Sequence, residues 1–303
     1  MNKKVAVVTS QDTGKYRTNT KDQFYTSPCV AKKCIQILIS RLHNGELYSP
    51  VLPLSSYLWV EPSAGNGAFL NSIPDTYDKI GIDIDPQCAN VLKQDFLTWV
   101  PPEQKTKTNQ KPVIIFGNPP FGRQSSLAKA FIAHSCKFPA TSTIAFILPR
   151  SFVKPSMSCA FDVHFHCIHS SDVERNAFVL GGGDASYDVP CVFQIWQKRL
   201  VPRIVPEKIT EKGFQYVKGT DPYHIAFRRV GVYAGRCYTN SHDETEYNVQ
   251  SHHFIKFDKK YEKNIVDIAK KINAHVFPTN TTGPRSLSKP EINIVLNSIL
   301  EGL

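Results

Sequence analysis

Val113-Ile114-Ile115-Phe116-Gly117-Asn118-Pro119-Pro120-Phe121-Gly122 is the stretch on which the reading of this chain turns. Its first half is a continuous apolar run, the pattern of a strand buried on both faces. It stops at Asn-Pro-Pro-Phe, with glycine on either side. Consecutive prolines fix φ twice and remove two N–H donors, so the backbone there is stiff and its carbonyls are left for a ligand. Asn118 brings an amide oxygen and Phe121 a flat π surface. A planar heteroaromatic amine matches that inventory, its NH2 donating to the Asn118 side chain and the Pro119 carbonyl while its ring stacks on Phe121. A strand ending in a proline turn, with Asn118 as a turn residue, would look much the same. The neighbouring segments must decide.

Upstream, Tyr57 to Glu61 is a short apolar strand running into Pro62-Ser63-Ala64-Gly65-Asn66-Gly67-Ala68-Phe69-Leu70. This reads as strand, glycine turn and helix start, with backbone N–H groups exposed where no Cβ intervenes. Lys79 to Asp83 is a second strand ending in an acid, 18 residues beyond Gly65, the distance at which a βαβ unit offers a carboxylate to ribose hydroxyls. A helix is expected over 86–93, then a short third strand and turn at Gln94-Asp95-Phe96. Before all of these, apolar residues at helical spacing from Val30 to Leu42 predict a helix capped by Thr26 or Ser27, with Pro28 in its first turn and Asn44-Gly45 at its end.

Downstream, Ser126 to Lys137 reads as a helix and Thr143 to Leu148 as a fifth strand. Phe161 to His169 and Val189 to Gln197 give a sixth and a seventh, with residues 176–183 a flexible loop between them. Strands alternating with helices, then two strands close together, predict an α/β fold: a seven-stranded, mostly parallel sheet with an antiparallel end. From Leu200 the character changes to short aromatic and arginine-rich runs, a lysine-rich helix over Asp258 to Asn273, and a last helix from Ser288 with Glu291 in capping-box spacing. The organisation read from this is a flexible basic arm over 1–20, a first domain over 21–199 and a smaller α+β unit over 200–303.

With 303 residues and 41% hydrophobic content, the chain can bury a full core. A formal charge of +10 suggests a polyanionic partner, nucleic acid ahead of membrane. The basic residues cluster at Lys3, Lys4, Lys15, Arg17 and Lys21, and again at Arg228, Arg229 and Arg236. Eight scattered cysteines without a CxxC pair read as reduced, buried thiols of an intracellular, non-secreted protein. His164, His166, Cys167 and His169 alternate along a strand, which would split them between two faces, so no metal site is expected. The apolar run Val5 to Val8 is too short for a signal peptide, and no stretch reaches membrane-spanning length, so no membrane partner is expected.

Gly65-Asn66-Gly67 lacks the third glycine of a nicotinamide-binding fingerprint. Glu61, just before the turn, would repel a pyrophosphate but welcome an ammonium group. The ligand is therefore expected to carry an amino-acid end and a ribose, as S-adenosyl-L-methionine does.

Four blocks in one order now carry a resemblance: Gln23-Phe24-Tyr25-Thr26, Glu61-Pro62-Ser63-Ala64-Gly65-Asn66-Gly67, Asp83 with Asp95-Phe96, and Asn118-Pro119-Pro120-Phe121. Together they resemble the amino-methyltransferases, above all the adenine-N6 DNA methyltransferases whose target-recognition region follows the catalytic domain. The resemblance covers residues 22 to about 197. It implies a Rossmann-like methyltransferase fold and S-adenosyl-L-methionine as cofactor. Phe24 and Thr26 would line the methionine end, Glu61, Ala64 and Gly65 would surround the amino-acid part, and Asp83 would take the ribose hydroxyls. Asp95 would accept from the cofactor's adenine N6, with Phe96 donating through its backbone N–H. Asn118, Pro119 and Pro120 would form the catalytic turn, holding the target amine while Phe121 stacks on its base. An aromatic from a later loop would cover the other face of the flipped base, Phe178 first and Phe152 as competitor. Arg228, Arg229 and Arg236 are candidate contacts to the nucleic acid. DNA is favoured as substrate. RNA adenine-N6 or guanine-N2 methylation, protein-glutamine methylation and a catalytically inactive nucleic-acid-binding partner are the alternatives.

Overall fold

The computed structural model describes residues 24–44, 52–102, 111–180, 186–187, 189–205, 207–239, 247–279, 281 and 284–303. The basic arm, Gln23, Gly45 and the glycine run 181–183 lie outside these residues. Two compact units are present, one ending at Val205 and the other spanning Pro206–Leu303. The division falls a few residues beyond the change in character at Leu200.

In the first unit, β1 (Phe24–Thr26) leads into α1 (Pro28–Asn44). Ser27 caps this helix, its Oγ accepting from the Val30 N–H at 3.4 Å, and Pro28 occupies the first turn, where a missing N–H costs nothing. Then follow β2 (Leu58–Glu61), β3 (Asp78–Asp83), β4 (Val91–Lys93), β5 (Val113–Gly117), α2 (Ser126–Lys137), β6 (Thr141–Pro149), β7 (Phe165–Asp172), β8 (Phe178–Leu180), β9 (Ser186–Tyr187) and β10 (Cys191–Lys198). Seven strands make the main sheet in the order β4-β3-β2-β5-β6-β10-β7. All neighbouring pairs are parallel except those of β10, which runs antiparallel between β6 and β7. This is the Rossmann-like, mostly parallel sheet with an antiparallel end. A three-stranded antiparallel sheet, β1-β8-β9, stands apart from it.

Strand alternation divides the core into two layers. Ile114, Phe116, Ala145 and Ile147 pack with the α1 residues Ala31, Ile35 and Leu38. Ile115, Ile144, Phe146 and Leu148 pack with Ala128 and Ile132 of α2. Both faces of β5 and β6 are thus covered, which is why their sequences are continuous apolar runs.

Several expectations are corrected. No helix forms over 86–93; β4 pairs directly with β3, and Gln87 N–H donates to the Gly65 carbonyl at 2.9 Å. That tertiary bond holds a segment too short to stabilise a helix alone. The helix expected after the glycine turn is a single 3-10 turn, Leu70–Ser72. The sixth strand begins at Phe165, because Phe161 is stacked on Trp196 at 3.9 Å and Asp162 turns the chain by accepting from the His164 N–H. Residues 178–180, expected in a loop, are β8. Three cysteines, Cys29, Cys159 and Cys167, are exposed rather than buried.

The second unit holds β11 (Phe214–Val217), β12 (Ile225–Arg228), β13 (Cys237–Thr239), β14 (His252–Phe257), α3 (Ile265–Ala274) and α4 (Lys289–Glu301). Its antiparallel sheet, β11-β14-β12-β13, packs one face on both helices through Ile225, Phe227, Ile255, Ile268, Ile272 and Leu296. The helix read over 258–273 starts as a 3-10 turn at Lys259–Asn264 and becomes α3 only at Ile265. Ser288 and Glu291 form the capping box of α4.

Candidate active site

The strand order reverses between β2 and β5, the place where open α/β sheets leave a crevice at the carboxyl ends of their strands. A cleft of about 580 Å³ lies there, within the range of small-molecule sites. Phe24, Thr26, Glu61, Ala64, Gly65, Asp83, Asp95, Phe96 and the whole of Asn118-Pro119-Pro120-Phe121 line it. Residues far apart in the chain therefore meet at one wall.

The glycine turn is laced to β3 by Asp83. One carboxylate oxygen accepts from the Gly65 N–H and the other from the Asp85 N–H, both at 2.8 Å. A carboxylate has about four lone-pair sites, so capacity remains for two hydroxyls. Gly65 has φ +50°, and a Cβ there would lie 2.7 Å from the Tyr25 ring. Only glycine permits that closure, in which Tyr25 covers the turn.

Glu61 is 2% exposed at the end of β2, and its Oε2 accepts from the Leu70 N–H at 2.8 Å. Burial pushes its carboxyl well above the usual range; the Asp83 charge adds to this and the Leu70 bond opposes it. A buried acid with its charge held back by desolvation is poised to gain from a cation. Gly117 makes room for it, since a Cβ there would sit 3.2 Å from the Glu61 Cγ.

Asn118 is fixed at two points and open at a third. Its carbonyl accepts from Ser63 Oγ at 2.9 Å, and its Nδ2 donates to the Phe24 carbonyl at 3.3 Å. Its Oδ1 is buried and has no hydrogen-bond partner. Thr26 Oγ1, on the same cleft, is likewise buried and unpartnered. Pro119 and Pro120 follow without N–H groups, and the chain then passes through Gln124 and Ser125 at φ 54° and 60° before entering α2. Left-handed backbone at two consecutive non-glycine residues costs energy, of order 1–3 kcal/mol each, and is found where the surroundings impose it.

Two expectations are not met. Phe178 lies on β8 opposite Thr26, 1% exposed in the α1 layer of the core. Phe152 is 3% exposed in the other layer, its carbonyl taken by Gln194 Nε2. Neither lines the cleft; both are held by apolar packing that the surrounding sequence supplies. Arg228, Arg229 and Arg236 fall in the second unit. Among the described residues no three His, Cys, Asp or Glu side chains gather to hold a metal, and no helix is long and apolar enough to cross a membrane.

Tyr25, quoted in the first block without a role, also lines the cleft, as do Ile84, Leu127 and Phe131, which the sequence did not single out. Ile84 carried a signal: an apolar side chain between Asp83 and Asp85 at a strand end, 69% exposed, has no core to serve. Phe131 reads simply as part of the buried stripe of α2, whereas Leu127 lies outside that stripe and is 38% exposed.

No protein-family model and no curated protein matches the chain. Among solved structures it is similar to the 23S rRNA methyltransferase ErmE, at 16% identity over 61% of this chain and 73% of that one, with a TM-score of 0.40. It is also similar to a dimethyladenosine transferase from Plasmodium falciparum, at 15% identity over 58% and 64%, with a TM-score of 0.37. These are distant likenesses, and a functional reading must stand on the geometry of the cleft.

Proposed function

We propose that the chain is an S-adenosyl-L-methionine-dependent methyltransferase acting inside the cell on the exocyclic amine of a base in nucleic acid, adenine N6 first, and DNA ahead of RNA. The observation that carries this reading is Asn118 Oδ1, buried and unpartnered on a cleft at the sheet's switch point. An unsatisfied buried acceptor costs about 1–3 kcal/mol, a cost recovered when a ligand brings a donor. Thr26 Oγ1 is a second such acceptor on the cofactor side.

The residues fit the cofactor. Glu61 would hold its ammonium, Asp83 its ribose hydroxyls, and Asp95 with the Phe96 N–H its adenine edge, while Phe24 and Thr26 border the methionine chain. Bound there, the cofactor supplies an electrophilic methyl group. Asn118 Oδ1 and the Pro119 carbonyl would accept the two amine protons of the target. That draws the nitrogen towards the sp3-like geometry in which its lone pair is free to attack. Phe121 would stack on the base and fix the line of approach. Positioning and electrostatics then do most of the work, with no strong general base required. A duplex base has to leave its stack to reach the cleft. The order of the four sequence blocks supports DNA as the first polymer to test, while the basic unit after them suits either polymer.

Nucleoside mass spectrometry after incubation with S-adenosyl-L-methionine and separate DNA and RNA pools tests the reading. The expected product is N6-methyldeoxyadenosine from the DNA pool. Absence of any methylated nucleoside from either pool, despite measurable cofactor binding, overturns it.

A further inference from the structure

The second unit gathers cations that bond its own backbone, Arg228 Nε to the Val230 carbonyl and Arg229 Nη2 to the Gln250 carbonyl, but that no acid among the described residues neutralises. Arg228 and Arg236 both lie over the Tyr233 ring, 5.9 and 5.7 Å from its centroid. Arg285 Nη1 donates to the Ala234 carbonyl of the same loop. Lys289 Nζ lies over the Tyr216 ring at 4.3 Å, and burial, then the charges of Arg229 and Lys289, push the His253 imidazole down to about 4. Among the described residues none of these five cations makes an ion pair. Cations gathered in this way repel one another unless an anion joins them.

The loop from Val230 to Arg236 is held rigidly in their midst. Gly231 and Gly235 both take φ 100°, Ala234 N–H closes a turn on the Gly231 carbonyl at 3.0 Å, and Val230 bridges to Ser286. A Cβ on Gly235 would meet the Phe277 ring at 2.6 Å, so the loop's base is pressed against the core. At its tip Val232 is 86% exposed. A stiff loop holding one bare valine outward among guanidinium groups matches a partner that is anionic and layered. Nucleic acid has both properties, phosphates outside and stacked bases within. A lipid surface is the rival, but a single valine offers little to bury there, and the tyrosine beside it has guanidinium groups over its ring. Planar guanidinium forks also suit phosphodiester oxygens.

We propose that this loop is a nucleic-acid anchor, in which Arg228, Arg229 and Arg236 take backbone phosphates and Val232 presses into a base step. The inference rests on the nucleic-acid reading above and adds the place and manner of binding.

Fluorescence anisotropy with the full chain, a labelled DNA duplex and the corresponding RNA duplex, at several salt concentrations, tests it. Arg236→Gln should flatten the slope of log K against log salt on DNA by about 0.9, because one phosphate is no longer neutralised. Val232→Ser should leave the slope unchanged and weaken binding about three- to tenfold. Both side chains are exposed, so both variants should melt with the wild type in circular dichroism. Unchanged affinity and slope in both variants overturns the anchor, as does tighter wild-type binding to phosphatidylserine-containing vesicles than to either duplex. The methyl-transfer reading fails separately. If the wild type transfers no methyl group while the variants still lose duplex binding, the anchor stands and that reading falls. If transfer occurs while the variants bind like the wild type, the anchor falls and that reading stands.

Discussion

Glu61→Gln separates two roles that a buried acid can play. In the unliganded protein, burial raises the Glu61 pKa above its ordinary value of 4.5, so the native state holds the proton more tightly than the unfolded chain does. Stability from this site is therefore complete below the unfolded pKa and is lost as pH rises through the folded one. Glutamine keeps an oxygen for the Leu70 N–H and has no charge to bury. The pH dependence from this site should disappear, and at neutral pH the variant should melt no lower than the wild type. Cofactor binding should move the other way. A hydrogen bond to a charged group contributes about 1.5–3 kcal/mol. At about 1.4 kcal/mol per factor of ten, the variant should bind S-adenosyl-L-methionine about 10- to 150-fold more weakly. Titration calorimetry measures the affinity, and thermal melts from about pH 5 to pH 8 measure the linkage. In the wild type, binding should release protons as the ammonium restores the carboxylate, visible as a dependence of the heat on the buffer's own ionisation. Unchanged affinity, or stability and affinity falling together, would refute the reasoning and make Glu61 a structural acid.

Four further outcomes are expected. Asn118→Ala should abolish methyl transfer in a tritium assay while leaving cofactor affinity within a few-fold, since only the bond to the Phe24 carbonyl is removed on that side. Phe121→Ala should weaken engagement of the nucleic acid by about 1–3 kcal/mol of stacking energy, read in its KM. Phe178→Ala should act as a core truncation, costing about 3–5 kcal/mol in denaturant melts, and should weaken cofactor binding by loosening β1. An effect confined to the nucleic-acid KM would restore Phe178 as a base-stacking residue. Gly65→Ala should displace the Tyr25 ring and weaken cofactor binding, because its Cβ has no space and its φ is unfavourable.

Residues whose environment is local were legible in the sequence. The apolar runs of β5 and β6, the stripe of α2 and the capping box of α4 each state their structure within a dozen residues. What the sequence hid depends on distant partners. Residues 86–93 have a helical composition, but the Gly65 carbonyl claims the Gln87 N–H and β3 claims Val91. Phe178 reads as a loop aromatic beside three glycines; its burial follows from pairing with Thr26, far earlier in the chain. The cleft was legible residue by residue because its chemistry sits at strand ends. Its apolar walls were not, since Phe131 looks like any other core position and Leu127 like a helix residue at the edge of the α2 stripe.

The bond between Asn118 Nδ2 and the Phe24 carbonyl spans 94 residues of sequence and fixes which end of an amide faces the cleft. A freely rotating carboxamide would accommodate a donor or an acceptor equally. Pinned as it is, it can greet only a donor. Within the proposed chemistry that makes it a polarity filter on the bases: adenine and cytosine offer an NH2 at the matching edge, whereas thymine and uracil offer a keto oxygen and would leave two acceptors facing each other. A three-residue strand far from the catalytic turn in sequence would thus help decide which letters the enzyme can modify, and loosening β1 would cost discrimination as well as rate.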